Sequence, residues 1–544
     1  MKRFAELLDR LVLTPSRNGK LKLMVDYFNE VPDPERGLAL AAITRDLSIA
    51  SIKPAMLRGL VEERVDPVLF ALSYDYLGDL AETIALIWPV GEDRPQGAND
   101  APTLLEVVET LHAATRAKAP ALVADWLDRL DASGRYALIK LVTGGMRIGV
   151  SARLAKQALA DFGKVDVTAI EELWHGLDIP YLPLFAWLEG HTDKPANLAA
   201  APFRPVMLAT AIEDGDLDKL DPADYAAEWK WDGIRVQATA EGGVRRLYTR
   251  TGDDISATFP DLMEHLNFEG SMDGELLVGH RSGDLLDDGR QRIEIGSFGD
   301  LQQRLNRKIV SAKTIESYPA FIRAYDLMQD GDRDVRAEPF RERRRRLERF
   351  VQHLDPERFD ISPLVPFDDW SQIVDFRSEP PHPIIEGLML KRWDSAYVPG
   401  RPRGPWFKWK REPFLIDAVL MYAQRGHGKR SSFYSDYTFG VWKGVPEDGE
   451  LVPVGKAYFG FTDEELKQID KYVRDNTVER FGPVRSVRAN LKTGLVLEIA
   501  FEGLNRSARH KSGVAMRFPR ISRLRWDKPA READTLETLE KMLP

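Results

Sequence analysis

Glu228-Trp229-Lys230-Trp231-Asp232-Gly233-Ile234-Arg235 is the stretch around which the rest of this chain can be read. A lysine amine attacks nothing while it carries its proton. At a reference pKa of about 10.4, roughly one amine in a thousand is free near pH 7.4, a cost of about 4 kcal/mol. Burial or neighbouring cations lower that cost. Trp229 and Trp231 flank Lys230 and are expected to limit water around it. Asp232-Gly233 reads as a turn, and Val236, Ala238 and Ala240 alternate with polar residues as in a strand. The amine is therefore expected at a sheet edge. Read alone, the tetrapeptide fits equally a hairpin carrying an exposed lysine, because short motifs recur by chance.

The whole chain narrows the choice. Its 544 residues exceed what one core organises, so about three domains are expected. An apolar content of 43% and a charged content of 30% describe a globular protein without a membrane partner. Cysteine is absent, which excludes disulfides, thiolate zinc sites, iron–sulfur clusters and cysteine nucleophiles. Glu6, Asp9 and Arg10 interrupt the first apolar residues, so no signal peptide is read, and a cytoplasmic location is expected. The net charge is −9, yet Arg401–Arg430 holds eight Lys/Arg against two acids and Leu504–Lys528 eight against one. Local basic stripes of this kind suit a phosphate backbone.

Residues 1–190 read as helical throughout: Phe4, Leu7, Leu8 and Leu11 recur at helical spacing, Leu122, Val123, Trp126, Leu127 and Leu130 share a face, and Pro102 suits a first turn before Leu104. Thr143–Ser151 breaks the pattern with glycines, and Ser151 is placed to cap a following helix. That stretch reads as a phosphate-binding helix start or as an ordinary turn. Residues 191–202 read as a linker. Residues 203–411 mix strands (Arg235–Ala240, Val244–Thr249, Gly274–Val278) with helices such as Pro260–Leu266. Residues 412–544 carry strands at Ile416–Tyr422, Phe433–Trp442, Lys456–Phe461 and Leu495–Phe501, as in a small barrel, and Leu536, Leu539 and Leu543 suggest a final helix. Arg343–Arg346, beside Leu347 and Phe350, reads as a solvated helix face.

Several further pieces carry chemistry. Asp273-Gly274-Glu275 opens an apolar strand, Tyr325-Asp326 sets a ring beside an acid, and Glu386-Gly387 precedes Leu388-Met389-Leu390-Lys391. In Trp406-Phe407-Lys408-Trp409-Lys410 the alternation puts both lysines on one strand face, walled by aromatics. Arg517-Phe518-Pro519-Arg520 and Arg525-Trp526-Asp527-Lys528 follow.

In this order the pieces resemble the covalent nucleotidyltransferase superfamily and, within it, the ATP-dependent DNA ligases: Lys230-Trp231-Asp232-Gly233, Tyr248-Thr249-Arg250, Asp273–Glu275, Tyr325–Leu327, Glu386–Lys391, Lys408–Lys410 and Arg525–Lys528. Arg517–Arg520 is typical of DNA ligases rather than capping enzymes, and Arg147-Ile148-Gly149 resembles a turn in the helical domain of larger ligases. The resemblance implies an all-α DNA-binding domain (1–190), a linker (191–202), an α+β nucleotidyltransferase (adenylation) domain (203–411) and a C-terminal OB-fold β-barrel with its tail (412–544). NAD-dependent ligases carry a four-cysteine zinc module, which this chain lacks. A decayed, non-catalytic DNA-binding protein is the reading of another class, and the intact Lys230, Glu275, Glu386, Lys408 and Lys410 speak against it.

The resemblance also implies roles. Lys230 would attack the α-phosphate of ATP and hold AMP. Glu228 would read the adenine amino group, Tyr325 stack on the base, Arg235 and Arg250 hold phosphate and ribose, and Glu275 face the ribose or a metal-bound water. Glu386, with Glu275, would hold Mg²⁺, a hard cation that prefers oxygen ligands. Lys408 and Lys410 would neutralise the α-phosphate, and Arg525 and Lys528 orient pyrophosphate. Arg147, Gly149, Lys429 and Arg430 would meet DNA. Thr251-Gly252-Asp253 departs from the asparagine that often follows the family's arginine, which leaves Arg250 the loosest match. The implied protein is a monomer that seals nicks in duplex DNA for replication or repair, with no sliding-clamp peptide in view.

Overall fold

The computed structural model describes residues 1–49, 52–77, 79–89, 101–196, 199–213, 215–285, 291–305, 307, 310–425, 434–446, 449–481, 484–507 and 510–543. The chain divides into two compact units. One takes residues 1–170, 177–196 and 414–543, the other 171–176 and 197–413.

The first unit opens with helices, from Lys2–Leu13 to Leu182–Leu188. Their apolar spacing has the expected result: Phe4, Leu7, Leu8 and Leu11 are buried together, as are Val123, Trp126 and Leu127. Polar caps set the starts. Ser151 accepts from the Leu154 N–H at 3.1 Å and begins Ala152–Gly163. Thr103 and Glu106 form a capping box at Leu104, so Pro102 lies just outside that helix rather than in its first turn. Among the described residues, no helix is long and apolar enough to cross a membrane.

The second unit is built on two sheets. Its strands, in chain order, are β1 (Thr210–Ala211), β2 (Tyr225–Trp231), β3 (Ile234–Glu241), β4 (Val244–Thr249), β5 (Gly270–Leu285), β6 (Gln291–Ile295), β7 (Ala320–Asp330), β8 (Arg333–Asp334), β9 (Phe359–Ile361), β10 (Leu364–Val365), β11 (Ile385–Arg392) and β12 (Trp406–Lys410). One sheet runs β1-β12-β11-β2-β10. The other runs β4-β3-β5-β7-β8, with β6 on β5 and β9 on β7. Asp232-Gly233 therefore closes no hairpin, because β2 and β3 stand in different sheets. Gly233 makes that step possible: a Cβ there would lie 2.5 Å from the Leu276 carbonyl oxygen. Nor is β2 an edge strand, since β11 flanks one side and β10 the other at Ala227 and Glu228.

The helix Phe340–Gln352 packs against β7 and corrects the reading of its arginine run. Arg343 and Leu347, four residues apart, are both fully buried, and Arg344 is nearly so. Arg343 reaches Asp326 through two hydrogen bonds of 2.8 and 3.0 Å. Acids on the strands compensate charges that a helical wheel alone would assign to solvent.

The rest of the first unit is a barrel of β13 (Phe414–Arg425), β14 (Tyr434–Lys443), β15 (Glu450–Ala457), β16 (Thr477–Phe481), β17 (Val484–Val487), β18 (Val496–Phe501), β19 (Gly503–Arg506), β20 (Val514–Arg517) and β21 (Arg520–Arg525). The long β13 pairs with β14, β17 and β18, and β21 closes on β18. The strand expected at Lys456–Phe461 instead ends with β15 at Ala457. The final helix, Leu536–Glu540, sends Leu536 and Leu539 into the barrel core.

Candidate active site

Strand register assembles the site. Across β2, β11 and β12, Lys230 faces Gly387, which faces Lys410. The next rank on that face is Glu228, Met389 and Lys408, and the third is Ala226, Lys391 and Trp406. Residues two apart share a face, so Lys230 and Glu228 necessarily stand together, as do Lys408 and Lys410. The odd-numbered aromatics turn the other way. Trp229, Phe407 and Trp409 pack in the core behind the sheet, and Trp231 lies under Arg323, 4.2 Å from its ring centroid. The two tryptophans thus build the floor beneath Lys230 rather than walls around it.

Glu386 sits in a register shift between Ile385 and Gly387. Gly387 has φ 147°, and a Cβ on it would lie 2.2 Å from the Trp409 carbonyl oxygen. The irregularity lets Glu386 ion-pair with the Lys230 amine and with Lys410 at 3.1 Å. Burial pushes the Glu386 carboxyl up, but Lys230 and Lys410 outweigh it and the group ends below its ordinary value. Lys408 has no ion-pair partner among the described residues. Burial, and then Arg401, Lys230 and Lys410, hold its ammonium below the usual lysine value. This corner is short of anions.

The second sheet contributes Glu275, cross-strand from Arg235 on β3 and β5. Burial pushes its carboxyl up to about 8, Glu386 and Asp232 add to the push, and Lys230 and Arg235 oppose it. Arg235 is held in place: it donates to Asp273, with which it pairs at 2.5 Å, to Tyr397 at 3.0 Å and to the Met207 carbonyl at 2.6 Å. Its Nε and the Asp273 Oδ1 are buried without partners.

Around the third rank lies a buried charge cluster. Glu228, 2% exposed, accepts from Lys391 at 3.0 Å and from Arg344 at 3.3 Å. Burial pushes the Glu228 carboxyl up and the Lys391 ammonium down, against the attraction of the pair. The Lys391 Nζ also lies 4.7 Å from the Tyr325 ring centroid and 4.7 Å from that of Trp406. Sequence reasoning quoted Lys391 but gave it no role, and assigned Arg344 to a solvated helix face. The signal available was Glu228 itself, because a buried carboxylate demands cations.

Other expected residues stand elsewhere. Arg250 is exposed in the turn after β4, and among the described residues no hydrogen bond or ion pair ties it to this cluster. Lys429 and Arg430 lie outside the described residues. Arg525 and Lys528 belong to the barrel, where both bind Asp417, at 3.0 and 2.7 Å. In the helical part of the first unit, Arg147 (φ 46°) and Gly149 (φ 67°) border a cavity of about 760 Å³. Arg17, Lys20, Arg45 and Arg153 also line it, and no acid does.

Two family models match the chain: the ATP dependent DNA ligase domain over residues 206–410 and the ATP dependent DNA ligase C terminal region over 430–528. A "Probable DNA ligase" of Koribacter versatilis (strain Ellin345) is 29% identical across 100% of this chain and 96% of its own length. "DNA ligase 1" of Korarchaeum cryptofilum (strain OPF8) is 28% identical across 100% and 98%. A solved structure described as Pmar-Lig_PreS3 superposes with a TM-score of 0.58 at 14% identity, covering 96% of this chain and 99% of that one, a likeness of fold. Family models, full-length relatives and the lysine-bearing sheet agree: the chain belongs to the ATP-dependent DNA ligase family.

Proposed function

We propose that Lys230 is the nucleophile of a nick-sealing reaction and that its neighbours serve the transfer of AMP. The observation that carries this reading is the pair of ranks bringing Lys230, Lys408 and Lys410 onto one face, where Glu386 pairs with Lys230 and Lys410. Such a cluster is ready for phosphate. In the first step the Lys230 Nζ bonds to the α-phosphorus of ATP and loses a proton to water. The bridging P–O bond breaks, and pyrophosphate leaves with its electron pair. Lys408 and Lys410 neutralise the charge that builds on the α-phosphate oxygens, the kind of electrostatic contribution that dominates phosphoryl transfer. AMP then passes to the 5′-phosphate of a nick, and the adjacent 3′-hydroxyl displaces it.

Tyr325 stacks on the adenine, and Glu228 with Lys391 offers an acceptor and a donor for its edge. Arg235 contacts ribose or phosphate, and Arg250 joins on binding. Arg525 and Lys528 orient pyrophosphate. Glu275 and Glu386 fit Mg²⁺. Their carboxylates are close enough for Glu386 to raise Glu275, and Mg²⁺ commonly takes one or two carboxylates alongside phosphate oxygens and water. Among the described residues there is no set of three acidic or histidine ligands. When bound, the metal would supply positive charge at the phosphate.

The basic cavity at Arg17, Arg45, Arg147, Gly149 and Arg153 is proposed to hold backbone phosphate of duplex DNA, and Lys429 and Arg430 are proposed as further DNA contacts. The working division is a helical DNA-binding domain over 1–190, an adenylation domain over 203–411 and an OB-fold from 412, acting as a monomer.

The test uses protein freed of AMP by pyrophosphate. Labelled ATP and Mg²⁺ should give a covalent protein–AMP adduct, and nicked duplex DNA should then be sealed with ATP but not NAD. No adduct sinks the reading. Adduct without sealing of DNA, but with sealing of RNA, would move the substrate to RNA.

A further inference from the structure

The barrel holds a second cation cluster whose acid has no assigned role. Arg525 donates through Nη1 to both oxygens of Asp417, at 3.3 and 3.0 Å, and Lys528 donates to the same Oδ2 at 2.7 Å. Asp417 is buried and fixed by its backbone. It stands on β13 opposite Glu498 of β18, and it exchanges hydrogen bonds with Asp534, at 2.7 Å from its own N–H and 2.8 Å to its carbonyl. The two cations keep part of their surface outward, at 18% and 23% side-chain exposure. Arg525 spends its remaining Nε and Nη2 contacts on Asp527, at 3.0 and 2.8 Å, and that partner is 67% exposed.

These facts divide the acids into two kinds. Asp527 lies in solvent, where an ion pair contributes little and an incoming anion readily replaces it. Asp417 is anchored and shared, and it offsets the repulsion between two cations drawn to one oxygen. A guanidinium has five N–H donors and an ammonium three, so both groups keep donors for a ligand while bound to Asp417. A diphosphate presents several oxygens to such a fork, and the bidentate preference of Arg suits it.

We propose that Asp417 is a positioning residue that sets the spacing and direction of Arg525 and Lys528 for the leaving pyrophosphate, and so acts in lysine adenylation alone. The proposal rests on the reading of Arg525 and Lys528 given above. It makes Asp417 dispensable once AMP has left ATP, because sealing of a nick that already carries AMP releases no pyrophosphate.

Full-length protein freed of AMP is assayed in two ways: the rate of protein–AMP formation against ATP concentration, and single-turnover sealing of a nick adenylated beforehand. Asp417→Asn should slow adduct formation about tenfold or more, the order of one hydrogen bond to a charged group, and raise the ATP concentration for half-maximal rate. Its sealing of the adenylated nick should stay within about twofold of the parent. Asp417→Glu should recover part of the loss. Arg525→Ala, run alongside, should lose adduct formation and keep sealing. If Arg525→Ala forms the adduct normally, the reading of the barrel cations fails and the proposal with it. If Arg525→Ala behaves as expected while Asp417→Asn matches or exceeds the parent, the proposal alone is overturned. Equal loss of both activities in Asp417→Asn would make the residue merely structural and also overturn it.

Discussion

On the Lys230 face and in the barrel cluster alike, two cations share one acid, yet the charge balance differs. Glu386 serves Lys230 and Lys410 while Lys408 goes without an acid among the described residues. In the barrel, Arg525 and Lys528 share Asp417, and Asp527 and Glu498 stand by. The first cluster has an anion's place open. The second is satisfied until a ligand competes with Asp527. The proposed catalytic face and the proposed accessory fork thus differ in their charge count, since an unpaired, partly buried cation is costly unless something binds it.

The sharpest test of that contrast removes the proposed nucleophile. Lys230→Ala should give no labelled protein–AMP on a denaturing gel, and an adduct that persists would reassign the reaction to another residue. Next in size is Lys391→Ala, which leaves Glu228 buried with one cation fewer. Breaking such a pair costs about 3–5 kcal/mol, read as a lower midpoint in urea. A midpoint close to the parent's would mean that Arg344 alone suffices. Lys408→Ala should slow adduct formation about a hundredfold. Its melting temperature should hold, because no ion pair is lost. A drop in stability with normal adduct formation would invert the comparison.

The last test concerns pH. The Glu275 carboxyl is raised from its ordinary 4.5 to about 8. Between those values the folded form keeps a proton that the unfolded chain has lost, so this group's stabilising share is complete below pH 4.5 and falls away as pH rises through 8. In metal-free buffer, wild-type protein should therefore lose melting temperature across that window relative to Glu275→Gln. Parallel curves would place the raised proton elsewhere.

What the sequence disclosed follows from short-range geometry. Alternation put Lys408 beside Lys410 and Glu228 beside Lys230, and Ser151 announced its helix. Failures came where a residue's fate depends on distant chain. Nothing in Asp232-Gly233 says that β2 and β3 enter different sheets. The same ignorance made walls of Trp229 and Trp231, which lie beneath the lysine. Arg343 and Arg344 read as solvated because the acids that draw them inside, Asp326 and Glu228, lie 17 and 116 residues away in sequence. Lys391 and Asp417 escaped for a like reason: a single charge in an apolar strand declares itself only when its partner is known.

Gly387 carries a consequence for anyone who would redesign this site. Its backbone angle and its closeness to Trp409 bind three choices into one: the register shift, the direction of Glu386 and the spacing of β11 from β12. None can be altered separately. Gly387→Ala would force the strands apart and misalign Lys230 with Lys410, so attempts to retune the acid must rebuild the strand that bears it. Variation at this face is therefore cheapest in the side chains of the flanking ranks, and the peptide at their centre is its least negotiable part.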